Sequence, residues 1–218
     1  MNKSKFSFAI SCAAFACAAM GMQAAQAAGV IDQSQLTYNI GVPFAFSATY
    51  PNYPVGQSFT AGLSGTLSNI MLGTNGGILG GTNSVTLEVR DGDGVAGTLL
   101  GTRTLAVSSV WTPSTGLYML DMNTASMGIT VESGHQYTFD ITNVSGSGDL
   151  VYRGVLGSTA NPYANGRIYV GPGYGNQPRW DLVFRTSVSA VPEPETYGML
   201  LAGLGVMAFV SRRRKVIK

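Results

Sequence analysis

Apolar side chains recur at every second position in several short segments of this chain. Val85, Leu87 and Val89 alternate with Thr86, Glu88 and Arg90. Tyr137, Phe139 and Ile141 alternate with Thr138, Asp140 and Thr142, and Leu182 and Phe184 alternate with Val183 and Arg185. A period of two places one set of side chains on one face of a strand and the other set on the opposite face, so each segment reads as a half-buried strand. Further strands are expected at Gln57–Ala61, Thr66–Gly73, Leu99–Val107, Leu117–Met122, Leu150–Val155 and Arg167–Val170, separated by Gly, Asn, Ser and Pro. Val30 to Pro54 is less regular and reads as an edge strand with a lead-in loop. No helical period is evident between Gly29 and Ala190. Roughly nine antiparallel strands in one domain predict an all-β fold of two packed sheets, a jelly-roll-like or related Greek-key sandwich. The glycines near 76–81 and 171–175 predict loose loops.

The two ends have a different character. Lys3 and Lys5 form a basic start, and Phe6 to Met22 is an apolar run rich in Ala, Phe and Met. Ala25 and Ala27 supply the small residues that signal peptidase reads, so residues 1–27 are expected to be a signal peptide cleaved after Ala27. Cys12 and Cys17 lack a good lipobox and do not suggest a lipid anchor. At the other end, residues 191–218 combine Val191-Pro192-Glu193-Pro194-Glu195-Thr196, an apolar run from Tyr197 to Val210, and the cations Arg212, Arg213, Arg214 and Lys215. Fourteen residues in a helix reach only about 21 Å, short of the roughly 20 residues that span a bilayer comfortably. The run is therefore expected to be one short transmembrane helix that holds the chain only until processing. The following cations place its C-terminal end in the cytoplasm. The two prolines keep the preceding segment extended, a shape that a processing enzyme can grip.

This tripartite tail resembles the PEP-CTERM sorting signal of exported bacterial proteins. The likeness lies in Pro192-Glu193-Pro194, Thr196, the Gly/Leu/Met-rich run and Arg212, Arg213 and Arg214, about an eighth of the chain. The resemblance implies recognition by an exosortase, a membrane-embedded transpeptidase-like enzyme, and removal of the tail near Pro-Glu-Pro. It also implies a Gram-negative host that makes exopolysaccharide and lives in biofilms or flocs.

Removing both ends changes the chemistry left to explain. The body, residues 28–190, keeps six arginines and nine acids, a net charge of about −3, although the whole chain carries +2. The apparent basicity belongs to the sorting segments, and nucleic-acid binding loses its support. Both cysteines lie in the signal peptide, so the body has no disulfide. Its stability must come from a core, which about 160 residues suffice to build.

The body also resembles, more weakly, jelly-roll modules of bacterial surface proteins. The shared positions are Val55–Ala61, Leu67-Ser68-Asn69-Ile70, Val85–Gly94 with Asp91-Gly92-Asp93-Gly94, Gly97-Thr98-Leu99-Leu100, Val131–Phe139 and Asp181–Thr186. Such modules are mostly non-catalytic, and some resemble carbohydrate-binding domains. The likeness supports a fold better than an activity.

Candidate sites are few. A Ser-His-acid triad needs a positioned imidazole, and the single histidine, His135, sits in a turn. Zinc needs three or four N/S ligands, which one His and no mature Cys do not supply. Paired-carboxylate hydrolysis is arithmetically open, but acids such as Glu88 and Asp140 are expected on solvated strand exteriors. No catalytic residue is assigned. Asp91 and Asp93 are the best local candidates for calcium, helped by Glu88 and carbonyls, but a hairpin turn is the favoured reading. No cofactor is expected. The late loops collect Tyr163, Tyr174, Arg179 and Trp180, flat or hydrogen-bonding groups suited to glycan contact, with plugging of the sandwich ends as the alternative. These features favour a non-enzymatic structural or adhesive protein of the cell surface or matrix. A carbohydrate-binding module is the alternative, followed by a secreted glycan-active enzyme. The expected partners are signal peptidase, exosortase, the membrane through the tail before processing, and exopolysaccharide or another glycan.

Overall fold

The computed structural model describes residues 29–42, 54–77, 83–146, 154–171, 176–177, 180–189 and 201–207. The signal-peptide residues Ala25 and Ala27, the Pro192-Glu193-Pro194 motif and Arg212–Arg214 lie outside these, as do Tyr174 and Arg179. So do residues 78–82 and 172–175, within the glycine-rich stretches.

The alternating segments form strands, and the strands form two antiparallel sheets. In chain order they are β1 (Val30–Gln35), β2 (Ile40–Val42), β3 (Val55–Thr60), β4 (Gly65–Thr74), β5 (Ser84–Asp91), β6 (Leu99–Ala106), β7 (Ser109–Thr112) and β8 (Leu117–Asn123). After a 3-10 turn at Ala125–Met127 come β9 (Thr130–Val131), β10 (Gln136–Ser145), β11 (Val155–Ser158), β12 (Ile168–Val170), β13 (Asn176–Gln177), β14 (Asp181–Leu182) and β15 (Phe184–Ser189). The six-stranded sheet runs β13-β12-β3-β10-β5-β6. The nine-stranded sheet follows β1-β15-β4-β11-β14, with β8 and β9 also pairing β4, β7 pairing β8, and β2 pairing β11. This is the sandwich expected from the sequence. Residues 150–153 of the expected Leu150–Val155 strand lie outside the described residues, and β11 starts at Val155. The short β2, β7, β9 and β13 had no pattern long enough to detect.

Alternation is realised as packing. Val85, Leu87 and Val89 of β5 are fully buried, while Thr86, Glu88 and Arg90 face the other way. Phe59, Phe139 and Phe184 meet across the core, with Phe139 centroids 6.2 Å from Phe59 and 5.8 Å from Phe184. Tilted ring pairs of this kind add to the area that they bury. β10 breaks the pattern: Tyr137 through Thr142 are all buried, on both faces. Something therefore covers the outer face of the six-stranded sheet along this strand.

Residues 201–207 form a helix with exposed side chains, within the apolar run expected to be the short membrane helix. The rest of that run lies outside the described residues. No helix among the described residues is long and apolar enough to cross a membrane. β1 and β15 pair with Val30 opposite Val188, so the body begins and ends at neighbouring points of one sheet.

Candidate functional site

Register builds a polar row across the outer face of the six-stranded sheet. Glu88 of β5 stands opposite Asp140 of β10, Asp140 opposite Gly56 of β3, and Gly56 opposite Tyr169 of β12. The next row runs from Arg90 through Thr138 to Ser58. The segment between β5 and β6 folds back over these rows. Gly94 N–H donates to Thr138 Oγ1 at 2.7 Å, and the Thr138 hydroxyl donates to Gly92 O at 2.8 Å. Arg90 Nη1 donates to Gly97 O at 3.2 Å. Glycine is required at two of these positions. Gly94 has φ +120, and a Cβ on Gly97 would lie 1.9 Å from Asp91 O.

Asp91-Gly92-Asp93-Gly94 therefore does more than turn the chain. Asp93 reaches across to β12 and its approach, accepting from the Tyr169 hydroxyl at 2.5 Å and pairing with Arg167 Nη2 at 2.7 Å. Partial burial would raise the Asp93 carboxyl. Hydrogen bonds from Tyr169 and Ser58 and the Arg167 charge outweigh that and hold it below its ordinary value. The Tyr169 phenol is pushed up to about 12 by burial and by its bond to the Asp93 carboxylate. Asp91 turns the other way and meets His135 Nε2 at 2.5 Å, with the imidazole edge-on to Tyr137. The two candidate calcium ligands are thus held apart by different partners. Among the described residues no group of three or more His, Cys, Asp or Glu side chains could hold a metal ion.

Asp140 is the largest departure from the sequence reading. Its position on a strand exterior predicted solvation, yet it is only 1% exposed. Arg90 donates from Nη2 to Glu88, and its Nε lies 3.6 Å from Asp140 Oδ1. Neither that Nε nor Asp140 Oδ1 has a hydrogen-bond partner among the described residues. Burial, then the Glu88 charge, push the Asp140 carboxyl up to about 7 against the pull of Arg90. Glu88, Arg90, Asp140 and Thr142, with Pro54, Val95 and Asn143, line a half-open cavity of about 240 Å³. Only the register of β10 against β5 and the fold of the β5–β6 segment, a strap across the sheet, reveal this cluster.

Of the predicted glycan-contact residues, the two that are described, Tyr163 and Trp180, both pack against the core. Tyr163 is a correction: it is 8% exposed, with its ring perpendicular to Phe184 at 5.2 Å. Its hydroxyl accepts from Thr60 N and donates to Gln33 Oε1, each at 3.1 Å. A loop aromatic surrounded by polar residues looked like a surface group, but it plugs the sandwich. Trp180 is partly buried and packs against the same core. Asp181, beside it, accepts from Tyr163 N at 3.0 Å and from Gln57 Nε2 at 2.9 Å, while Leu182 N donates to Gln57 Oε1 at 2.8 Å. This network pins the Tyr163 loop to β3 and β14.

A more open groove of about 480 Å³ crosses the outer face of the nine-stranded sheet beside Asn69, Asn123 and Ser187. Ser68 Oγ donates there to Ser187 O at 3.0 Å, and Asn69 Nδ2 donates to Asp121 Oδ1 at 2.5 Å. It offers amides and hydroxyls but no charge pair with unmet hydrogen bonds.

β15 ends at Ser189, and residues 190–215 match the PEP-CTERM protein-sorting motif. The chain carries a PEP-CTERM sorting signal. That signal implies an exported, exosortase-sorted protein of a Gram-negative bacterium, with exosortase as its processing partner. The PEP-CTERM match begins directly after the last strand among the described residues. No curated protein matches the chain.

Proposed function

We propose that the exported sandwich is a non-enzymatic component of the cell surface or extracellular matrix, structural or adhesive, and associated with exopolysaccharide. The sorting motif at 190–215, joined directly to a strand-built body, is the observation that carries this reading. The export route delivers the body to a glycan-rich exterior. Polar side chains such as Glu88, Arg90 and Asp121 face outward from the two sheets, so the body can pack among hydrated polymers while its core stays dry. Signal peptidase acts at Ala25 and Ala27, and exosortase acts near Pro192-Glu193-Pro194.

The test compares the intact chain with one truncated after Ala190, in cells with and without exosortase. The intact chain is expected in the surface or matrix fraction at reduced mass only when exosortase is present. Equal mass and location in all four cases would refute the sorting-dependent role. A second reading, carbohydrate binding, is favoured by the cavity that Glu88, Arg90, Asp140, Thr142 and Asn143 line on the outer face of the six-stranded sheet.

A further inference from the structure

The sorting motif leaves the body at one end of the sandwich, and exposed hydrophobic side chains gather around that point. β15 ends at Ser189, opposite Thr66 of β4. β1 starts beside it, with Val30 opposite Val188 and Ile31 opposite Ser187. Asp32 Oδ1 then accepts from the backbone N–H groups of Gly62 and Leu63, at 2.9 and 2.7 Å. The turn that carries Leu63 closes tightly on the end of β15, because a Cβ on Gly65 would lie 2.4 Å from Ser189 O. Register and clamp together bring Val30, Ile31 and Leu63 to the end from which the motif departs. They are 61%, 52% and 43% exposed. Exposed hydrophobic residues are ordinary when scattered. Here three of the eight exposed large hydrophobic side chains among the described residues of the body share one end.

That end is where the processing enzyme must work. Ala190 to Thr196 are the only seven residues between β15 and the apolar run that starts at Tyr197. Seven residues reach at most about 25 Å, so an enzyme that grips Pro192-Glu193-Pro194 stands within that distance of the patch. The patch is continuous with the contact that the sorting motif already makes with exosortase. A lipid surface suits it less well. Asp32 stands beside the patch, and Glu132 follows Val131, which pairs with Gly65. An anionic leaflet repels both carboxylates. We propose that Val30, Ile31 and Leu63 form a docking surface for exosortase, packing against an apolar surface beside the entrance that takes the tail. The proposal rests on exosortase processing and not on the structural or adhesive role. Such contacts are made equally before and during bond cleavage, so they lower KM and leave kcat alone.

The test follows cleavage of the full chain by purified exosortase, read by mass, in lipid vesicles and in detergent micelles. Ile31→Thr combined with Leu63→Ser is expected to raise KM about fivefold with kcat unchanged, in both media. Thr keeps a β-branched side chain on the edge strand, and an unchanged thermal midpoint checks the fold. Leu99→Thr combined with Leu100→Thr, on the edge strand of the other sheet, is expected to leave KM unchanged. A Gly-Ser insert after Ser189 leaves every side chain of the body in place. It is expected to raise KM by itself, because the body is no longer held against the enzyme when the tail enters. An unchanged KM in the double variant, or an equal rise in the β6 variant, would overturn the docking surface. So would a rise confined to vesicles, which would assign the patch to lipid. Should the double variant unfold, the insert decides, and an unchanged KM there would overturn the proposal. No cleavage of the unsubstituted chain would overturn the sorting account as well, so the two failures are distinguishable.

Discussion

Asp181 and Asp140 are both buried carboxylates on paired strands, and they are treated in opposite ways. Asp181 receives the Tyr163 amide at 3.0 Å and the Gln57 side chain at 2.9 Å. Burial raises its carboxyl, and those two donors pull it back. Among the described residues, Asp140 Oδ1 has a guanidinium nitrogen at 3.6 Å, and a second carboxylate stands opposite it on the sheet. The first arrangement fastens a loop to the sandwich. The second leaves polar groups unmatched beside a cavity. A buried acid with its donors supplied is a structural fastener, whereas a buried acid without them destabilises the fold.

Four substitutions would break or sharpen this contrast. Asp181→Ala strands two buried donors and is expected to destabilise the protein by about 3 kcal/mol, read by denaturant unfolding. A loss under about 1 kcal/mol would show that Asp181 is no fastener. Asp140→Asn is expected to act in the opposite direction, stabilising the protein by about 1–3 kcal/mol near pH 8. Its folded carboxyl titrates at about 7, above the ordinary 3.8, so the native state holds a proton that the unfolded chain has lost. Native stability contributed by this group therefore falls as pH rises between those values and is level above them. The gain from Asp140→Asn should accordingly grow over that window and vanish below it. A gain independent of pH would contradict the assignment.

Tyr163→Phe removes the hydroxyl that bridges Gln33 and Thr60 and is expected to cost about 1 kcal/mol. It should also leave any glycoside binding unchanged, because the ring is core. Asp93→Asn loosens the strap from Tyr169 and Arg167. The pair is about one-third exposed, so the expected cost is about 0.5 kcal/mol, reduced by salt. Since the Asp93 carboxyl is held below its ordinary value, its contribution is present at neutral pH and is lost in acid.

The sequence revealed what is periodic or linear. Val85, Leu87 and Val89 announced a one-sided strand because period two needs no partner to be recognised, and the PEP-CTERM tail is contiguous. Asp140 also obeyed that period and was assigned to the outer face, where it is. Its burial was invisible because it depends on which residues lie across the sheet and on a strap held at Thr138. Tyr163 failed for the converse reason. Its neighbours Asn161, Pro162 and Asn165 look like a surface loop, and only Asp181, eighteen residues later in sequence, draws its backbone inward. The spacing of two carboxylates at Asp91 and Asp93 suggested shared work, yet strand geometry sends one to His135 and the other to Tyr169.

The contrast between the two carboxylates can be read directly by carboxyl ¹³C NMR of the exported protein as pH is varied, with Asp140 assigned through Asp140→Asn. The account predicts an Asp140 midpoint near 7, well separated from an Asp93 midpoint below 3.8. An Asp140 midpoint at or below 3.8 would mean that its charged form is already fully bonded or solvated, and would contradict the contrast between the two buried acids.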